Sequence, residues 1–169
     1  MRSERGFSLL ELLIVLVVIA LIAAIAVPNL LAARRAANEG ASVSALRTLY
    51  MANVSYAATT GNGRYAGTAG TAGISALTDL ANADFIDDVL GSGVRNSYSF
   101  IGDRAVATGT QPETFYFSTN PAISSGLLLT GSKRFGVATN GVIHFDSTPA
   151  NLGTPFDAAS VASAPVLGN

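Results

Sequence analysis

Residues 5–13 read R-G-F-S-L-L-E-L-L and open a long apolar run that carries one carboxylate, Glu11, near its start. From residue 12 to residue 33 no side chain is charged, and only Pro28 and Asn29 interrupt the apolar character. About 20 residues of helix cross a bilayer core, so the run is long enough to span one. Arg2 and Arg5 precede it, which by the positive-inside rule keeps the N-terminus cytoplasmic and sends everything after Arg34 outward. A carboxylate inside such a run costs about 2.5 to 3.5 kcal/mol at mid-helix and less near the end, so Glu11 calls for a compensating partner.

Three readings of this segment compete. Ala24-Ile25-Ala26 supplies the small-x-small pattern of a secretory signal peptide, which would release a secreted β-rich binding module beginning at Val27. Against that reading, the apolar run exceeds a typical signal core and Glu11 would weaken insertion. A plain signal anchor leaves the carboxylate as an unexplained cost. The third reading gives Glu11 a partner.

The stretch R-G-F-S-L-L-E-L-L-I-V-L-V-V-I-A-L-I-A-A-I-A-V-P-N-L resembles the N-terminus of type IV prepilins and of the pseudopilins of type II secretion, and most closely that of a type IVa pilin. The resemblance is dense over about the first 30 residues. It implies a leader ending at Gly6, a cut before Phe7 by a membrane-embedded aspartyl peptidase, and N-methylation of Phe7. Counted from Phe7, Glu11 is the fifth residue and Pro28 the twenty-second, where the family has them. In that family Glu11 of one subunit neutralises the amine of Phe7 on a neighbour. Two charges about 4 Å apart attract far more strongly in a low-dielectric bundle than in water, whereas either one alone is expensive. Glu11 then acts as a register key, because a misplaced subunit leaves a charge unpaired.

Composition narrows the rest. The chain has 169 residues, room for one globular domain and an appendage. It has no cysteine, which removes disulfides, thiolate catalysis and Cys-based zinc sites. A net charge of −1 with 12% charged residues points to neither nucleic acid nor an anionic surface as partner.

After Pro28 the pattern becomes amphipathic. Val43, Leu46, Tyr50, Val54 and Ala57 recur at helical spacing, with Arg34, Arg35, Glu39, Arg47 and Asn53 at polar positions. One helix is predicted over residues 7–60, ended by Gly61-Asn62-Gly63 and kinked or locally melted at Pro28. Residues 61–73, dense in Gly, Ala and Thr, read as a flexible surface loop. Two short helical pieces follow at 74–80 and 84–90, with Asp84 suited to an N-cap. Strands are predicted at 97–101, 104–108, 114–118, 134–139 and 142–145, the last two joined by Asn140-Gly141 in a type I′ turn. The tail from Ser147 shows no periodicity and reads as lying over the surface.

Candidate chemistry is sparse. His144 is the only histidine, sits in a predicted strand and has no G-x-S-x-G elbow to accompany it. Asp79, Asp84, Asp87 and Asp88 do not match EF-hand spacing and read as solvated helix ends. No catalytic, cofactor-binding or metal-ligating residue is expected, and the chain reads as a non-enzyme.

Together these readings give an α+β fold, a long N-terminal helix packed on a small antiparallel sheet. The expected parts are a leader at 1–6, a transmembrane and filament-core helix at 7–28, an amphipathic half at 29–60, a variable loop at 61–96, the sheet at 97–146 and a tail at 147–169. The resemblance implies a structural subunit of an extracellular type IV filament, with a pseudopilin of a type II secretion system or a minor pilin as the alternative. The implied partners are other copies of the chain, the peptidase and methyltransferase, an inner-membrane assembly platform, and membrane lipid before assembly. The implied location is the bacterial inner membrane as a single-pass protein, then the filament.

Overall fold

A computed structural model describes residues 7–168 and divides the chain into two compact units after Arg34. Helix α1 runs Leu9–Ala58 and contributes to both. In the first unit it is apolar on every side and its side chains from Leu9 to Leu30 are exposed. The helix continues through Pro28, whose missing amide leaves the carbonyl one turn back without its helical donor.

The second unit, Arg35–Asn169, has its own core. Five strands form an antiparallel meander in the order β1-β2-β3-β4-β5: β1 Val94–Arg95, β2 Tyr98–Ala105, β3 Thr114–Pro121, β4 Arg134–Ala138 and β5 Ile143–Asp146. Registers such as Phe100↔Thr119, Phe117↔Val137 and Phe135↔Phe145 align the apolar positions on one face. Against that face lie Ala45, Leu46, Leu49 and Ala52 of α1 and Leu77 and Leu80 of α2, Ser75–Asn82. Strand alternation sends every second residue of β3 and β4 to this face, while the helix supplies its three- and four-residue stripe. Burying each leucine contributes about 1.5 to 3 kcal/mol.

The buried stripe of α1 is rotated from the one expected. Val54 is 42% exposed, whereas Asn53, expected at a polar position, is wholly buried. Its Oδ1 accepts a hydrogen bond of 2.9 Å from the Ala66 amide. That contact also corrects the reading of residues 61–73 as a flexible loop. Ala66 belongs to the core, Tyr65 packs at a tilt on Phe115 with ring centroids 4.5 Å apart, and the segment bridges to β2 at Ala69↔Arg104 and Gly73↔Gly102.

Other expectations shift locally. Residues 97–101 and 104–108 were two predicted strands, but β2 runs unbroken through Gly102 because β3 pairs along its whole length. The short helix α3, Asp88–Gly91, is capped by Asp87, whose side chain accepts from the Leu90 amide at 2.8 Å, while Asp84 takes φ 60° in the turn before it. The β4–β5 connection is not a type I′ turn. The Gly141 amide bonds the Ala138 carbonyl, so Asn140 and Gly141 fill the last two positions of the turn, and within it only Gly141 has positive φ, 74°. The Thr139 hydroxyl accepts from the Phe115 amide and donates to the Phe115 carbonyl, which anchors the turn to β3.

The tail departs most from expectation. After a 3₁₀ turn at Pro149–Asn151 it forms α4, Ala158–Ser163, opened by a capping box between Asp157 and Ser160. Phe156 and Val161 bury against Tyr116 on the sheet face opposite α1. Arg134 fastens this layer. Its guanidinium donates to Asp146 at 2.8 Å and to the carbonyls of Thr154 and Pro155, and stacks 4.1 Å from the Phe156 ring. Residues 165–167 then run beside β5, with the Phe145 amide donating to the Pro165 carbonyl and the Leu167 amide to the Ile143 carbonyl.

Candidate functional site

The first unit presents the candidate site. Phe7 stands before the helix and is 76% exposed, and Glu11 lies exposed in the first turn of α1. The Ser8 carbonyl starts the helix by accepting from the amides of Glu11 and Leu12 at 3.1 and 3.2 Å. A carboxylate in the first turn is favoured by the amides that point out of a helix N-terminus, which offsets part of its cost in apolar surroundings. Beyond it, leucine, isoleucine and valine side chains from Leu12 to Leu30 lie exposed on all sides of the helix. One acid at the head of an unpartnered apolar helix suits helix-to-helix association in a dry environment, with a cation required near the acid. Gly6 lies outside the described residues. Pro28 sits within continuous helix.

The sheet unit holds the other polar groups singled out by sequence. His144 is buried on β5, its Nδ1 2.7 Å from the Ala164 carbonyl, and its Nε2 has no partner among the described residues. The ring is thus oriented by a backbone carbonyl of the tail, where a catalytic histidine of a Ser-His-Asp set has an acid. Asp79 bonds the Gly67 amide and Asp87 bonds Arg95, two separate structural tasks. The Leu90 amide is the main cause holding the Asp87 carboxyl below its usual range, with Arg95 assisting. No group of three His, Cys, Asp or Glu side chains able to hold a metal occurs among the described residues.

A cleft of about 290 Å³ opens where Asp103 and Arg104 of β2, Tyr116 of β3, Asn140 of the β4–β5 turn and Ala158 of α4 meet. Burial, with Asp103 and Asp157 adding to it, pushes the Tyr116 phenol up, so it remains a neutral hydrogen-bonding group at physiological pH. Arg104 is committed to Glu113 at 2.7 Å and to the Gly67 carbonyl. The cleft therefore offers polar contacts without a paired nucleophile and base.

Compared with known proteins, residues 1–27 match the family model described as the prokaryotic N-terminal methylation motif. Neither a curated protein nor a solved structure matches the chain. The matched motif implies processing by prepilin peptidase and filament assembly, and with the apolar helix it fits membrane anchoring before assembly into a surface pilus. A chain that joins this motif to a long apolar helix and an antiparallel sheet is α+β and pilin-like, and it carries the N-terminal signature of the type IV pilin and pseudopilin family.

Proposed function

We propose that the protein is a major type IVa pilin, the repeating structural subunit of an extracellular filament. The observation that carries this reading is the exposed apolar first half of α1 with one carboxylate, Glu11, a single turn from Phe7 inside the methylation motif. Its length and the segment at 61–96 support a pilin over a pseudopilin or minor pilin.

In this proposal the peptidase hydrolyses the Gly6–Phe7 amide, and the new amine of Phe7 is methylated. The subunit then waits in the inner membrane, N-terminus cytoplasmic, with residues 7–28 across the bilayer. An assembly platform extracts it, and the apolar helices of successive copies bundle as the filament core. The Phe7 amine of one copy neutralises Glu11 of another, and a register error leaves that carboxylate in hydrocarbon, which sets the stacking step. Pro28 supplies a place where the helix melts locally as copies pack.

N-terminal sequencing and intact mass of the subunit from sheared fibres test the processing. The expected product begins with N-methylphenylalanine at Phe7, and a product beginning at Val27 overturns the reading. Gly6→Trp is expected to leave uncut precursor. Glu11→Val is expected to be processed and to remain in the membrane with few fibres, so abundant regular fibres from that variant would remove the role given to Glu11.

A further inference from the structure

The β3–β4 connection is a closed loop with an apolar tip. At its neck the Thr130 amide donates to the Ile123 carbonyl at 3.0 Å, the Ile123 amide donates to the Thr130 hydroxyl, and that hydroxyl donates to the Ser97 carbonyl. Beyond the neck, Gly126 takes φ 79° and turns the chain so that Leu127 and Leu128 project at 86% and 69% exposure, with Ile123 at 44% beside them. Leucines exposed to this degree on a fastened loop point to a surface that covers them.

The loop's place in the fold identifies that surface. Asn38 of α1 donates to the Thr130 carbonyl at 3.0 Å, and Glu39 accepts from the amide and hydroxyl of Ser132 at 2.7 Å. Further along α1, Tyr50 lies against Thr139 and Gly141 at the other end of the sheet. The leucine tip therefore belongs to the end of the sheet unit where α1 enters it. Along the chain this end of the sheet unit follows directly on the apolar run. The run ends at Ala33, followed by Arg34 and Arg35, and Asn38 comes five residues after Ala33, about 7.5 Å of helix. Cations closing a membrane span settle at headgroup level, and Asn38, which holds the loop's neck, follows Arg35 by three residues.

We propose that Leu127 and Leu128 insert into the outward-facing leaflet of the membrane that the apolar run crosses, giving the unassembled subunit a second lipid contact besides its helix. This rests on the reading of that run as a span. The contact holds the sheet unit against the bilayer while the subunit is stored, and it must be released when the subunit is drawn into a filament.

The chain has no cysteine, so a single Cys substitution carries a unique spin label. Full-length protein in phosphatidylcholine–phosphatidylglycerol vesicles would be labelled in turn at Leu16→Cys in the run, Leu128→Cys at the tip, and Val106→Cys in the β2–β3 loop at the far end of the sheet. Collision with a water-soluble nickel chelate is the readout. Expected is protection at 16 and 128, the latter roughly an order of magnitude beyond 106, unchanged as the lipid-to-protein ratio is raised. Protection at 16 with 128 as accessible as 106 overturns the loop contact and leaves the span standing, whereas accessibility at 16 overturns the span and this inference with it. Protection at 128 that fades on lipid dilution means a second copy covers the loop, which also overturns the proposal. Combining Leu127→Ser and Leu128→Ser is expected to leave the melting temperature unchanged and to return a label at Ile123→Cys to water; continued protection there would count against lipid insertion through the leucines.

Discussion

Replacing Asn53 by alanine withdraws the acceptor of the Ala66 amide and leaves that N–H buried without a partner. Such a loss costs about 1 to 3 kcal/mol, so a melt of Asn53→Ala in detergent is expected to fall by several degrees. Arg134 and Asp146 make a second residue-scale case. Burial opposes the charge on Asp146, but hydrogen bonds from Thr148, Asn151 and Arg134 outweigh it and hold the carboxyl well below the usual carboxylate range. The folded state therefore favours the ionised form. Its contribution is complete above the ordinary carboxylate pKa of about 3.9 and is lost as pH falls from there towards the depressed value. Asp146→Asn is expected to cost about 2 kcal/mol at pH 7 and to flatten the decline in stability below pH 4, measured by denaturant titration across that range.

At the scale of elements, the tail is a structural layer. Gly136 on β4 faces it so closely that an added Cβ would lie 2.7 Å from a methyl of Val161. Gly136→Ala is expected to push α4 off the sheet at a cost of about 1 to 3 kcal/mol, seen as faster amide exchange in residues 156–167 than in β2. This layer was illegible in sequence for a physical reason. Leu152, Phe156 and Val161 follow neither a strand nor a helix period, and the partners that bury Phe156 and Val161 lie on β3 and β4. The long helix, the aromatic strand β3 and the Arg134–Ala138 strand were legible because their period is local. Asn53 was misplaced because its partner comes 13 residues later, beyond the reach of helical periodicity. The Asn140-Gly141 turn was mistyped because Thr139, not the turn dipeptide, fixes its seat on β3. The N-terminal motif was readable because its chemistry is contiguous: glycine, phenylalanine and glutamate within residues 6–11, followed by an apolar run unbroken to Val27. The leucine tip escaped notice because three leucines between glycines carry no period that distinguishes a projecting loop from a buried one.

For the whole molecule, the division after Arg34 separates two ways of handling apolar surface. The sheet unit buries a core on each face of the sheet, while the first unit leaves its apolar side chains from Leu9 to Leu30 exposed. A chain beginning at Arg35 is accordingly expected to melt cooperatively without detergent and to sediment as a monomer, whereas the full chain needs detergent or vesicles; aggregation of the shorter chain would contradict that division.

Both margins of the sheet are occupied. Residues 165–167 lie along β5, the bridges at Ala69 and Gly73 flank β2, and β1 contributes only two residues. An exposed strand is what lets chains zip together into cross-β aggregates, and this subunit offers almost none. Under the proposed function, a subunit so guarded would stay free of cross-β seeding at the high local density of its store, leaving growth to the stem.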